Sequence, residues 1–298
     1  MLEAMSHSSY VASHRSRSRI PDFLLLRPRD LDEARGMLAR EPGAMAMAGG
    51  IDVVNRMKDG LAPPALVLLG GVADIDAIRL SPQRDAIEVG AGTRHDAVAN
   101  SDVLLAWLPD FARCWERIAN IRIRMQGTVA GNLLALMPGY EGAVLLSALG
   151  ASMVYSTRNS CGDMIAVREF GDAADLFFER GGLAEKLRVP LPVAGTTRRL
   201  LYDRSLRPIL SVALRVDCAG GAVVSAGAVI GGCHRWPFTC DLPVAGVALS
   251  ELHAQANDTA RGAVRQMPAP TVPWFGVANY RETVASVLLS RLIREIAA

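Results

Sequence analysis

The stretch IRIRMQGTVAGNL, residues 121–133, alternates two arginines with apolar side chains and then sets two glycines beside Thr128 and Asn132 within six positions. The interleaving of Arg122 and Arg124 with Ile121 and Ile123 reads as a strand or a tight turn. Glycine loses more conformational freedom on folding than any other residue, so this density implies a local need. The need that fits is a backbone brought very close to an anion, which accepts hydrogen bonds from N–H groups that side chains would screen.

A second stretch has the same character. In AMAMAGGIDVVNRMKDG, from Ala44, a small apolar run breaks at Gly49-Gly50 and resumes as a helix-compatible segment from Ile51 to Lys58. Strand, glycine turn and helix start together present N–H groups to a phosphate, although an ordinary tight turn has the same pattern. Gly70-Gly71, after the strand-like PPALVLL, is a decoy: no G-x-G-x-x-G is present and no helix clearly opens there.

The whole chain bounds what such sites can serve. Its 298 residues suit two or three units, and 50% hydrophobic with 21% charged residues describes an ordinary globular protein. A net charge of +2 gives no global field for nucleic acid or an anionic membrane, so any anion binding is local. The five cysteines show no C-x-x-C pair or metal spacing, which reads as reduced thiols in a cytoplasmic protein with no zinc or iron–sulfur site of its own. No apolar run reaches membrane-spanning length. The Ser/Arg-rich residues 1–21 read as a disordered extension, or as a start misplaced ahead of Met5.

Between these landmarks the chain alternates strands and helices. RPRDLDEARGMLAREPG reads as a helix capped by Asp30 or Asp32, and LLAWLPDFARCWERIAN as a helix burying Leu104, Leu108, Phe111 and Trp115. A helix from about Glu141 to Leu149 and a strand from Ser152 follow. Turn-rich sequence around 160–190 marks a border. Beyond it, strands at PILSVALRVD and AVVSAGAVIGG and helices near 252–266 and 274–296 form a separate α+β unit. His95, His234 and His253 are scattered, and none reads as catalytic.

AMAGGIDVVNRMKDGL, IRIRMQGTVAGNL with MPGYEGAVLLSALGA, VPLPVAG, RPILSVAL and GVANYRETVASVLL occur in that order from about residue 22 to the end. Together they resemble the medium, flavin-binding subunit of the xanthine dehydrogenase family of molybdenum hydroxylases, which includes the medium subunits of carbon monoxide dehydrogenase and of bacterial N-heteroaromatic hydroxylases. Two glycine motifs roughly eighty residues apart, with the terminal Tyr-Arg pattern, make the resemblance specific.

The resemblance implies an α+β fold: two small N-terminal α/β subdomains, meeting near residue 70, form an FAD-binding domain over residues 22–185, and residues 186–298 form a C-terminal α+β domain. It implies that Met47, Ala48, Gly49, Gly50, Ile51, Asp52 and Val53 bind the FAD diphosphate through backbone N–H groups. Thr128, Val129, Ala130, Gly131 and Asn132 would approach from the other side. Glu141 stands where the family commonly has Asp, as an acceptor for ribose or adenine donors or as a plain helix N-terminal carboxylate. Arg198 aligns more loosely with a basic residue near the flavin, or is simply a solvated arginine. Two departures bear on affinity: Ala130 replaces the first glycine of the family's T-(I/V)-G-G pattern, and Met137 replaces an Asp before the proline.

The resemblance also implies a role. FAD, held noncovalently, would pass electrons to an external acceptor. Substrate would be hydroxylated at a molybdenum cofactor in a large molybdopterin-binding subunit, and 2Fe-2S clusters in a small subunit would connect the two, in a dimer of heterotrimers. No residue of this chain would act as nucleophile, general base or metal ligand. The competing readings are a structural subunit that has lost FAD, for which Ala130 and Met137 speak, and a stand-alone flavin oxidoreductase, against which the missing substrate domain speaks.

Overall fold

The computed structural model describes residues 20–205, 209–272 and 279–297; residues 1–19 of the expected N-terminal extension lie outside them. The first unit is a three-stranded, all-parallel sheet of β1 (Leu24–Leu26), β2 (Met45–Met47) and β3 (Ala65–Leu68), in the order β1-β3-β2. Parallel strands need crossovers, and α1 (Leu31–Arg40) and α2 (Ile51–Lys58) supply them. Asp30 caps α1, accepting from the Glu33 N–H at 2.7 Å. Gly70-Gly71 lie in a 3-10 turn where a side chain would meet nothing within 4 Å.

The second unit is a five-stranded sheet of β4 (Ile78–Leu80), β5 (Ala86–Gly90), β6 (Ser152–Ser156), β7 (Asp163–Ala166) and β8 (Leu183–Pro190), ordered β4-β5-β8-β6-β7 with every neighbour antiparallel. Its helices are α3 (His95–Ala99), α4 (Asp102–Trp107), α5 (Pro109–Glu116), α6 (Ile121–Arg124), α7 (Val129–Leu134), α8 (Gly142–Ala148) and α9 (Phe170–Glu179). The helix expected across LLAWLPDFARCWE is two helices, because Pro109 has no N–H to continue α4 and starts α5 instead. The apolar stripe survives the break: Leu104, Leu108, Phe111 and Trp115 are all buried. The border placed at residue 185 falls inside β8, whose alternating Leu183, Leu187 and Val189 are core, so this sheet runs on to Pro190.

Residues 121–124 form a single helical turn and 129–134 a short helix, joined by a turn over 125–128, so of the two expectations, strand or tight turn, the strand is absent. Asn120 caps α6 through its Oδ1 to the Ile123 N–H (3.2 Å), and Thr128 caps α7 through its hydroxyl to the Gly131 N–H (3.2 Å). Two side-chain caps eight residues apart thus override the strand-like alternation between them.

The third unit is an antiparallel meander of β9 (Thr197–Arg204), β10 (Ser211–Ala219), β11 (Ala222–Gly231) and β12 (Phe238–Asp241), covered by α10 (Leu249–Arg265) and α11 (Tyr280–Ala297). The helix expected from 274 is described from Tyr280; residues 273–278 lie outside the described residues. The unit has its own apolar core and is pinned to the second by Trp236, which donates its indole N–H to the Val167 carbonyl (2.8 Å).

Candidate cofactor cleft

A cleft of about 1080 Å³ opens between the first two units, and Arg204 of β9 closes part of its wall. Its distinctive donor set is the N-terminus of α2. Gly50, the cap residue, has φ +76°, a left-handed conformation that glycine adopts without Cβ strain. Among the described residues, none of the N–H groups of Gly49, Gly50, Ile51, Asp52 and Val53 has a protein acceptor, and all five residues line the cleft. Five consecutive unsatisfied donors at the positive end of a helix form an anion site. Ala48 also lines the cleft; Met47 does not, and packs behind Gly50.

The carboxylate of Asp52 is held by Arg56 at 2.7 Å; burial raises its pKa and Arg56 opposes the rise. Arg56 reaches on to the Ala135 carbonyl (2.7 Å), tying α2 to the end of α7.

The second glycine stretch has a different task. The N–H of Val129 bonds to the Thr93 carbonyl (2.9 Å), that of Ala130 to Ala91 (3.2 Å), that of Gly131 to the Thr128 hydroxyl, and that of Asn132 to the Thr128 carbonyl (2.9 Å). Its backbone donors are therefore engaged inside the protein. What it offers the cleft is the Thr128 hydroxyl proton and the Asn132 amide N–H₂, since Asn132 Oδ1 accepts from the Gly142 N–H (3.0 Å). Val129 is buried away from the cleft. Ala130 lies in α7 with no positive φ, so its methyl imposes no backbone strain.

The glycines here are small for reasons internal to the protein. A Cβ on Gly49 would stand 2.2 Å from the Gln126 carbonyl oxygen, and one on Gly131 would stand 2.8 Å from the Thr128 hydroxyl. The first loop therefore packs backbone to backbone against the second.

Glu141, 4% exposed, lines the cleft, but its carboxylate accepts from the Tyr202 hydroxyl and from Arg204 at 2.9 Å. Burial, and then Glu141, push the Tyr202 hydroxyl pKa upward. Glu141 is thus a latch between α8 and the third unit. Arg198 is not on the cleft. It donates to Asp217 (2.7 and 3.3 Å) and to the Pro190 carbonyl (2.9 Å), in a largely buried pair on the meander. The cleft arginines that the sequence reading missed are Arg56, Arg158 and Arg204. Arg204 stands in the same strand as Arg198, and only the strand pairing shows which of the two turns toward Glu141.

His95 sits in the cleft wall, 2% exposed, against Trp115 and beneath Gly127. Burial, with Arg124 nearby, lowers its pKa to about 4, so it is neutral at neutral pH.

Residues 20–192 match the family model described as the FAD binding domain in molybdopterin dehydrogenase. The chain belongs to this family. It is 28% identical over 275 residues to the carbon monoxide dehydrogenase medium chain of Afipia carboxidovorans, covering 90% of this chain and 94% of that one. It is 22% identical to the glyceraldehyde dehydrogenase medium chain of Sulfolobus acidocaldarius, covering 93% and 99%. Among solved structures, a Cu,Mo-CO dehydrogenase chain superposes with a TM-score of 0.80 at 26% identity over 94% of this chain and 99% of that one. Quinoline 2-oxidoreductase from Pseudomonas putida 86 shares the fold, with a TM-score of 0.81 at 21% identity over 94% and 98%. The chain is therefore the FAD-binding medium subunit type of a molybdenum hydroxylase, a component of an oxidoreductase. Among the described residues no group of side chains could hold a metal ion, and no helix is long and apolar enough to cross a membrane.

Proposed function

We propose that this chain holds FAD noncovalently in the cleft and passes electrons from iron–sulfur clusters on a small partner chain to an external acceptor. Hydroxylation would occur at a molybdenum cofactor on a large partner, in a dimer of heterotrimers. The observation that carries the reading is the row of five free N–H groups from Gly49 to Val53 facing the cleft. A diphosphate satisfies such a row, each charge-assisted hydrogen bond contributing about 1.5–3 kcal/mol. Thr128 and Asn132 supply further donors across the cleft. Neither loop contains a cysteine or histidine to anchor a flavin covalently.

Bound FAD would supply two-electron redox chemistry; the residues here bind and orient it. The α2 N-terminus holds the diphosphate, neutral His95 keeps the wall beneath the second loop uncharged, and the Glu141–Arg204 pair holds the third unit over the cleft.

Purification with the partner chains tests this. Yellow protein whose flavin is released by acid precipitation supports it. A complete complex without flavin would favour a purely structural subunit, and yellow protein with no partner chains would favour a stand-alone flavoprotein.

A further inference from the structure

The two donor sets of the cleft belong to different units: the N–H row opens α2 in the first, while Thr128 and Asn132 stand at α7 in the second. A ligand that uses both needs them at a fixed separation, and one side chain spans it. Arg56, one turn into α2, donates from Nη2 to the Ala135 carbonyl at 2.7 Å, and Nε of the same guanidinium stands 2.7 Å from the Asp52 carboxylate.

Each end of this bridge has a local cause. Ala135 closes α7, and Leu136 beyond it takes φ +53°, so the chain turns away and, among the described residues, no backbone N–H reaches the Ala135 carbonyl. A carbonyl left over at a helix C-terminus, in a residue only 4% exposed, is satisfied best by a cationic donor. At the other end Asp52 lies four residues before Arg56, on the same face of α2, and fixes where the guanidinium points.

Arg56 and Asp52 both line the cleft. Their opposite charges offset each other at contact distance, and Ala135 already occupies the far branch of the guanidinium, so the pair adds little net attraction for a diphosphate. What it adds is rigidity between two surfaces that a cofactor has to meet at once. A site held in advance at its bound spacing loses less freedom on binding.

We infer that Arg56 is a positioning residue for the cofactor: it sets the width of the cleft between α2 and α7 and does not itself hold the diphosphate. The inference rests on the reading that FAD occupies this cleft. Inorganic diphosphate separates the two, because it meets the α2 row alone, whereas FAD on that reading spans both donor sets.

The chain is purified in its complex, stripped of flavin, and compared with two variants. Arg56→Met keeps the stem without its donors, and Arg56→Lys keeps the charge on a single ammonium without the branches that reach two partners. Both are expected to raise the FAD Kd about tenfold in fluorescence titration and to leave the Kd of inorganic diphosphate within about twofold of wild type in calorimetry. Amide hydrogen exchange should quicken in residues 51–58 and 129–135 and stay unchanged elsewhere. An FAD Kd at the wild-type value in Arg56→Met would overturn the proposal. So would recovery of FAD affinity in Arg56→Lys, or an equal loss for FAD and inorganic diphosphate, either of which makes Arg56 a direct counter-charge to the phosphates. Faster exchange throughout the chain would overturn it in favour of a general support of the fold. Wild-type protein that takes inorganic diphosphate and refuses FAD would instead overturn the FAD reading, and the exchange pattern would still decide whether Arg56 holds the two helices.

Discussion

Replacing Gly49 by alanine adds one methyl group where the two loops meet. Its carbon would lie 2.2 Å from the Gln126 carbonyl oxygen, a backbone atom that cannot swing aside, and real contacts of this kind begin at 3.0 Å. The loops must therefore part by about 0.8 Å, an overpacking that costs roughly 1–3 kcal/mol. Alanine returns about 0.4–1 kcal/mol through the unfolded chain, because Gly49 has no positive φ to penalise it. The net expectation is a loss of up to roughly 2.5 kcal/mol. The same displacement moves the N–H row at its first member. Loss of one charge-assisted hydrogen bond, about 1.5–3 kcal/mol, raises the FAD Kd by roughly 10- to 100-fold. Urea unfolding measures the first effect, and titration of apo-protein by quenching of flavin fluorescence measures the second. Gly70→Ala is the control, since nothing lies within 4 Å of its added carbon. If Gly49→Ala matches Gly70→Ala in both assays, the packing of the loops and the placing of the diphosphate between them are wrong.

Arg198→Ala removes one of two arginines that hold the largely buried Asp217, which keeps Arg215 and the Ser225 hydroxyl, so stability should fall by about 1–2 kcal/mol in urea while FAD affinity stays at the wild-type value. A large loss of affinity would return Arg198 to the site. His95 titrates near 6.5 when unfolded and near 4 when folded, so the unfolded state binds the extra proton between those values. Stability from this group is complete above pH 6.5, falls by up to about 3 kcal/mol as pH drops to 4, and is flat below; His95→Gln should flatten that window in pH-dependent unfolding. Ala130→Gly should cost about 0.5–1 kcal/mol of stability, because the residue is helical, and leave FAD affinity level or higher. Markedly weaker FAD binding would show that the alanine methyl packs against the cofactor.

The sequence was most legible where one local rule decided the outcome. Asp30 before an apolar period, Gly50 ahead of Ile51, and Pro42-Gly43 after Arg40 place α1 and α2 almost to the residue. The rhythm of ILSVALRVD and AVVSAGAVIGG likewise located β10 and β11. At residues 121–124, expected as a strand or a tight turn, a single helical turn forms: alternation over four positions cannot outweigh a cap at Asn120, and no apolar helical period follows Asn120 to single it out as Asp30 is singled out. The second loop looked like an anion cradle because glycine density does not reveal whether the N–H groups face outward. Here Ala91 and Thr93 take them, through contacts some forty residues distant in the chain. The role of Glu141 depended on Tyr202 and Arg204, more than sixty residues away, which no local pattern encodes.

The backbone contact between Gly49 and Gln126 also sets how this chain tolerates change. The two loops behave as a matched pair of half-moulds, and each side's shape is cast against the other. A chimaera that takes residues 47–53 from a relative and keeps 120–132 inherits a seam fitted to a different partner, however good its glycine pattern. Transplanting both segments together moves the seam intact, so flavin retention should follow the pair and not either loop alone.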